Sequence, residues 1–76
     1  MVSACVLIRS EKGRSGEVLN RLKQLPGVVR AFSSLGRYDI VIQLEAPDYK
    51  ALGQTVLRMG SISGVVFTET LVEVER

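Results

Sequence analysis

The sequence predicts a small α+β domain with the βαββαβ order of a ferredoxin-like fold, in which an antiparallel four-stranded sheet carries two helices on one face. Four short segments are rich in β-branched and other apolar residues, and two segments between them have apolar residues at helical spacing. The chain also contains an internal echo. Residues 25–29 (LPGVV) recur as residues 62–66 (ISGVV), so Gly27 and Gly64 are 64 − 27 = 37 positions apart. The chain therefore divides into two βαβ halves.

The first half begins with a strand and a helix. Residues 2–9 are an almost continuous apolar run that is too short for a helix, which predicts a strand buried on both faces. Ser15 is the expected N-cap of the helix, and Pro26 with Gly27 ends it. The apolar stripe of this helix comprises Val18, Leu19, Leu22 and Leu25.

A hairpin follows the first helix. Residues 28–34 and 38–45 have the composition of strands, and the three residues between them are few enough for a hairpin loop. The second of these strands alternates strictly. This alternation places four residues on one face, namely Tyr38, Ile40, Ile42 and Leu44.

The second half closes with a helix and a strand. Asp48, after Pro47, is the expected N-cap of a helix that ends by Gly60. Its apolar stripe comprises Tyr49, Leu52, Val56 and Met59. Residues 65–74 are the predicted last strand.

Composition argues against several classes of function. Cys5 is the sole cysteine and there is no histidine, so an internal disulfide, an imidazole-based metal site and a histidine-based catalytic pair are all excluded. Cys5 lies in an apolar strand, where a thiol is usually inert. The longest apolar run is far below the roughly 20 residues that span a bilayer, and the N-terminus does not resemble a signal peptide. We expect a cytoplasmic protein with no catalytic residue, no metal and no cofactor.

The apolar pattern predicts that the sheet needs a partner. Two helices cover only one face, yet the first strand has apolar residues of both parities, with Cys5 and Leu7 opposite Val6 and Ile8. About five such side chains would contribute on the order of 10 kcal/mol when buried, which is comparable to the stability of a small domain. We therefore expect two copies to pack sheet against sheet.

Two groups of polar residues are candidates for binding a small ligand. The hairpin residues Gly36, Arg37, Tyr38 and Asp39 combine outward-pointing backbone N–H groups with a carboxylate that can accept a hydrogen bond from an ammonium. Ordinary turn chemistry explains them equally well. In the last strand, Thr68 and Thr70 place two hydroxyls on one face, either for ligand binding or for cross-strand packing.

These residues belong to a set that resembles a known family. The set consists of residues 35–41 (LGRYDIV), 46–48 (APD), 51–53 (ALG), 56–57 (VL), 62–65 (ISGV) and 68–70 (TET). Together they resemble the effector-binding half, or RAM domain, of Lrp/AsnC transcription regulators. The resemblance extends over nearly the whole chain, which is accordingly interpreted as one RAM-like domain, residues 1–76.

The resemblance implies a regulatory role. Such domains pair through their sheets as a dimeric αβ barrel, assemble as octamers or decamers, and bind free amino acids between dimers. Carried over to this chain, the loop side of that site comprises Gly36, Arg37, Tyr38 and Asp39, and the strand side Thr68 and Thr70. Asp39 or a backbone group would accept the α-ammonium.

This sequence departs from the family pattern in two places. Met1 leads directly into the first strand, so the helix-turn-helix of the family is not expected, nor is direct DNA binding. The second helix ends at residues 59–61 (MGS), about a residue early, which affects the expected side-chain pocket. The resemblance thus points to a stand-alone amino-acid sensor that can assemble with full-length Lrp/AsnC regulators.

Three alternatives remain at this point. Dimeric αβ barrels also include small monooxygenases and isomerases, which need a polar or titratable group inside the barrel. We expect chiefly aliphatic residues there. An ACT-type module shares the order of elements and the ligand class, and a purely structural assembly partner would bind no ligand.

Overall fold

The computed structural model describes residues 1–74 and confirms the predicted order of elements. The elements are β1 (Val2–Ser10), α1 (Ser15–Leu22), β2 (Val28–Ser33), β3 (Ile40–Ala46), α2 (Tyr49–Gly60) and β4 (Val65–Val72). The sheet has the order β2-β3-β1-β4, and every neighbouring pair is antiparallel. This is the ferredoxin-like arrangement, with β1 between β3 and β4. The last two positions of the predicted domain, 75 and 76, lie outside the described residues.

The core lies between the sheet and the two helices. Val6 and Ile8 of β1 have no exposed surface, and neither do Ile40 and Ile42 of β3, which pair with them. The helices close this layer with side chains that are at least 96% buried: Val18 and Leu22 of α1, and Leu52 and Met59 of α2. Burial of these side chains is the main favourable contribution to the fold.

The predicted N-cap residue is confirmed for α2 and wrong for α1. Asp48 is the N-cap of α2, where its side chain accepts a hydrogen bond of 2.8 Å from the backbone N–H of Ala51, as predicted. The prediction that Ser15 caps α1 is wrong. Arg14 is the N-cap residue and makes no capping hydrogen bond; its guanidinium instead binds Glu17 at 3.1 Å, which lowers the pKa of that carboxyl.

Several predicted boundaries also shift, and β4 ends at Val72 where the prediction extends to residue 74. Helix α1 ends at Leu22, although Leu25 beyond it still packs against the core. Strand β3 begins at Ile40, so the predicted alternation does not extend back to Tyr38. Tyr38 is half-buried, and its hydroxyl reaches Glu69 on the opposite side of the sheet from Ile40.

The sheet face away from the helices, called here the uncovered face, is mixed in character. Its apolar residues are Cys5, Leu7, Phe32, Val41, Phe67 and Leu71, and its polar residues are Ser3, Arg9, Arg30, Gln43, Glu45, Glu69 and Glu73. Phe67 and Leu71 are 50% and 51% exposed. The expectation of a chiefly aliphatic face is therefore wrong, because each of the four strands places at least one polar or charged residue on it.

The sequence echo has a structural cause at Gly27 and Gly64. Both glycines follow a helix and have positive φ angles of 88° and 99°. At Gly27 a side chain would also collide with the backbone oxygen of Glu45, and the Glu45 N–H donates a 2.8 Å hydrogen bond to the Gly27 carbonyl. Only glycine satisfies both conditions at this crossing of chain segments.

Comparison of Gly27→Ala with Gly13→Ala separates backbone strain from steric collision. Gly13 has a nearly equal φ of 83°, but nothing lies within 4 Å of an added Cβ. We expect Gly13→Ala to lower the free energy of unfolding by about 1 kcal/mol, and Gly27→Ala by at least about 2 kcal/mol more. Urea unfolding at one protein concentration measures both. Equal losses would show that the contact with Glu45 relaxes without cost.

Candidate functional site

The loop that joins β2 to β3, residues 34–39, is closed by two hydrogen bonds. The Ser34 N–H donates to the carbonyl oxygen of Asp39 at 2.8 Å, and the Ser34 hydroxyl donates to the carbonyl oxygen of Tyr38 at 2.7 Å. The tip is exposed, and Gly36 there has a φ of 129°. The loop therefore has a fixed base and an open tip.

Asp39 connects the base of the loop to the end of β1. Its Oδ2 accepts hydrogen bonds from the Ser10 N–H at 2.8 Å and from the Ser10 hydroxyl at 3.4 Å. Its own N–H donates to the carbonyl oxygen of Ile8 at 2.9 Å. The carboxylate is thus held in one orientation, and no residue among 1–74 donates a hydrogen bond to its Oδ1.

Tyr38 connects the loop to β4. Its hydroxyl donates a hydrogen bond of 2.6 Å to Oε1 of Glu69, 31 positions away. The Glu69 hydrogen bond raises the pKa of Tyr38, with smaller contributions from desolvation and from the Glu69 charge, while Arg37 and Arg9 oppose the shift. The phenol therefore remains a hydrogen-bond donor throughout the physiological range.

Thr68 and Thr70 lie on the other face of β4 from Glu69. They pair across the strands with Ile8 and Val6, so they share the face that the helices cover. Both are half-buried, and within residues 1–74 neither hydroxyl makes a hydrogen bond to another residue. Two hydroxyls are therefore available to an external partner.

Thr70 also borders an apolar groove between β4 and α2. The groove is lined by Tyr49, Leu52, Val56, Leu57, Thr70 and Val72, among others. Leu57 is 76% exposed and Tyr49 is 62% exposed. A second molecule at this groove would meet the Thr70 hydroxyl beside apolar surface.

Within one protomer the two groups of predicted site residues are separate. Thr68 pairs with Ile8, which in turn pairs with Ile40, so two strand spacings, about 10 Å, lie between Thr68 and the start of β3. Tyr38 spans part of this distance, but its hydroxyl binds Glu69, on the other face of β4 from the threonines. The loop and the threonines therefore form two separate polar groups on the surface of one protomer.

Sequence reasoning did not identify Ser10, Ser34 and Glu69, which orient the loop. Ser10 and Glu69 act through contacts that local patterns do not reveal, since they are 29 and 31 positions from their partners, whereas Ser34 bonds within its own loop. One signal was present for Glu69. It is a carboxylate between two threonines, on a strand face that also carries Phe67 and Leu71.

Other kinds of site are not apparent in the part of the chain that the structure describes. No group of three or more Cys, Asp or Glu residues within residues 1–74 is arranged to hold a metal ion. Cys5 lies on the uncovered face and is half-buried. No helix among these residues has the length and apolar character needed to cross a membrane.

Comparison with curated proteins finds transcription regulators. The chain is 30% identical over 71 residues to the HTH-type transcriptional regulator FL11 of Pyrococcus furiosus, covering 93% of this chain and 47% of that protein. The FL11 regulator of Pyrococcus horikoshii is 29% identical over 69 residues, which is 91% of this chain and 46% of the regulator. The chain thus spans about half the length of these relatives.

Solved structures and a family comparison agree with this result. A protein of Thermus thermophilus superposes with a TM-score of 0.94 at 32% identity, covering 100% of this chain and 96% of that one. A hypothetical protein of Pyrococcus horikoshii gives 0.91 at 26% identity, with coverages of 100% and 93%. The AsnC protein of E. coli, at 23% identity and a TM-score of 0.90, shares the fold over 52% of its length. Residues 3–76 match the Lrp/AsnC ligand binding domain, and the chain belongs to that family.

Proposed function

We propose that this chain is an amino-acid sensor that binds free amino acids between dimers and modulates transcription through its assembly. The observation that carries the proposal is the loop that leads into β3, where the exposed Arg37 stands two positions before the fixed carboxylate of Asp39. The binding residues are Gly36, Arg37, Tyr38 and Asp39 of one protomer, with Thr68 and Thr70 of another. Membership of a ligand-binding family whose relatives are transcription regulators supports the regulatory role.

The two charges of the loop match those of a free amino acid. Arg37 is exposed, and within residues 1–74 it forms no salt bridge, so its guanidinium can bind an α-carboxylate in bidentate fashion. Asp39 is held by Ser10 through Oδ2, which leaves Oδ1 to accept a hydrogen bond from an α-ammonium. Opposite charges two positions apart in one loop suit a ligand that carries both of its charged groups on a single carbon atom.

The threonines contribute polar contacts from the second protomer. Their hydroxyls can each donate and accept hydrogen bonds, and no residue among 1–74 uses them. The apolar groove beside Thr70 provides surface for the ligand side chain or for the neighbouring loop. The preferred amino acid depends on this lining.

A ligand between protomers controls assembly by mass action. It stabilises only the state that contains both halves of its site, so the concentration of the amino acid sets the population of the larger assembly. The proposed assembly is a homodimer that forms octamers or decamers, with full-length Lrp/AsnC regulators as further partners. Such a mechanism requires no catalytic residue.

The polar groups of the uncovered face favour a second candidate, a dimeric αβ-barrel enzyme. Glu45 and Gln43 of β3 and Glu69 of β4 would lie inside such a barrel. However, Glu69 is already used as the acceptor for Tyr38, and the matched relatives are regulators. Turnover of candidate aromatic substrates would distinguish the enzyme from the sensor. An ACT-type module would differ from both in the geometry of the interface between its protomers.

The first test combines light scattering with thermal unfolding in the presence of each proteinogenic amino acid. At about 100 times its Kd, a ligand contributes about 2.7 kcal/mol, so Tm should rise by roughly 10 to 20 °C for a domain of this size. The mass should shift with the same few amino acids. If no amino acid changes either Tm or mass, the sensor proposal is wrong.

The second test changes the polar groups singly. Asp39→Asn retains an acceptor for Ser10 but removes the charge, and we expect the affinity for the amino acid to fall at least about 10-fold. Thr70→Val is nearly isosteric and should lower the affinity about 3- to 10-fold through loss of one hydrogen bond. Isothermal titration calorimetry measures both effects.

Thr55→Val is the matched control for Thr70→Val. The Thr55 hydroxyl donates to the Ala51 carbonyl within α2, at 3.2 Å, and Thr55 is not among the proposed binding residues. The affinity of this variant should equal that of the parent. Unchanged affinity in both Asp39→Asn and Thr70→Val would remove these residues from the site.

A further inference from the structure

We infer that Glu69 is a positioning residue for the amino-acid site, because it holds the hairpin loop through Tyr38. The inference rests on the proposed function for its ligand and adds a residue that does not touch that ligand. It begins with the 2.6 Å hydrogen bond from the Tyr38 hydroxyl to Glu69, which joins two segments 31 positions apart.

The loop is held from two directions. On one side, Ser10 at the end of β1 binds the Asp39 carboxylate at 2.8 Å. On the other, Glu69 of β4 binds the adjacent Tyr38. Since β1 separates β3 from β4 in the sheet, these contacts connect the loop to both strands that lie beyond its own hairpin. Removal of the Glu69 contact leaves the loop attached to β1 alone, and the orientation of Arg37 and Asp39 becomes less defined.

The Glu69 to Tyr38 hydrogen bond also lies on the strand that carries the two threonines of the proposed site. Glu69 lies between Thr68 and Thr70, which face the opposite side of the strand. The same three residues therefore present hydroxyls to one ligand and hold the loop that contacts another.

The chain offers closely matched variants. Tyr38→Phe removes only the hydroxyl, and Glu69→Ala removes the acceptor, whereas Glu69→Gln retains an acceptor oxygen at the same reach. Glu73→Ala is the control for charge, because Glu73 is an exposed carboxylate of the same parity in the same part of the chain. A role of the charge alone would make Glu69→Gln behave like Glu69→Ala, and loss of packing alone would leave Tyr38→Phe like the parent, so the three variants together isolate the hydrogen bond.

The experiment measures amide hydrogen exchange by NMR in the ligand-free protein, together with amino-acid affinity. The reporters are the N–H groups of Ser34 and Asp39, which donate to the carbonyl oxygens of Asp39 and Ile8. We expect exchange at these two amides to accelerate about 3- to 10-fold in Tyr38→Phe and Glu69→Ala. Glu69→Gln and Glu73→Ala should stay within about 2-fold of the parent, and amides in the middle of β1 should not change.

Affinity for the amino acid that binds the parent should fall by the same factor in Tyr38→Phe and Glu69→Ala and be retained in Glu69→Gln. The inference is overturned if amide exchange in Tyr38→Phe equals that of the parent. It is also overturned if exchange in Glu69→Gln is as fast as in Glu69→Ala. Faster exchange with unchanged affinity overturns the role at the ligand site while leaving the proposed function intact. If the parent binds no amino acid, the proposed function fails and this role fails with it, whereas the exchange rates still decide whether Glu69 orders the loop.

Discussion

The register of the central strand β1 is the constraint on which the rest of the structure depends. Val6 and Ile8 have no exposed surface, and β1 pairs along its length with β3 on one side and β4 on the other. A slip by one residue would turn these side chains away from the helices. The same register brings the Ser10 N–H to Asp39 and places Thr68 opposite Ile8. Core packing and the geometry of the candidate site are thus set by one strand.

The uncovered face determines what kind of partner can cover it. Its apolar residues favour burial, but Arg9, Arg30, Glu45 and Glu73 lie among them. Burial of a charge costs several kcal/mol unless an opposite charge pairs with it. Arg30 is partly satisfied already, because its guanidinium lies 4.6 Å from the centre of the Phe32 ring. In the proposed dimer, a second sheet that covers this face would therefore have to offer charges in a matching arrangement, so the polar residues would select its register and the apolar residues would supply affinity.

Features that arise from local pattern could be predicted from the sequence. Local pattern predicts the apolar runs of β1 and β3, the apolar stripe of α2 and the Asp48 N-cap, because each depends on residues within a few positions of one another. The repeated sequence marks Gly27 and Gly64, the two glycines that have positive φ after a helix. Predictions failed where a distant or competing contact decided the outcome. Arg14 binds Glu11 and Glu17 and occupies the cap position that Ser15 was expected to take. Tyr38 leaves the strand alternation because its hydroxyl reaches β4.

The distribution of rigidity within the loop bears on how a ligand would be recognised. Tyr38 and Asp39 are fixed before any ligand arrives, so little conformational entropy is lost when they bind, and contacts at this base contribute efficiently to affinity. Leu35, Gly36 and Arg37 form an exposed tip that no comparable contact restrains within residues 1–74. Ordering of that tip against a neighbouring protomer opposes binding unless new contacts compensate for it. In the proposed function, the neighbouring protomer is therefore part of the recognition surface, and this loop is where affinity for the amino acid would be coupled to assembly.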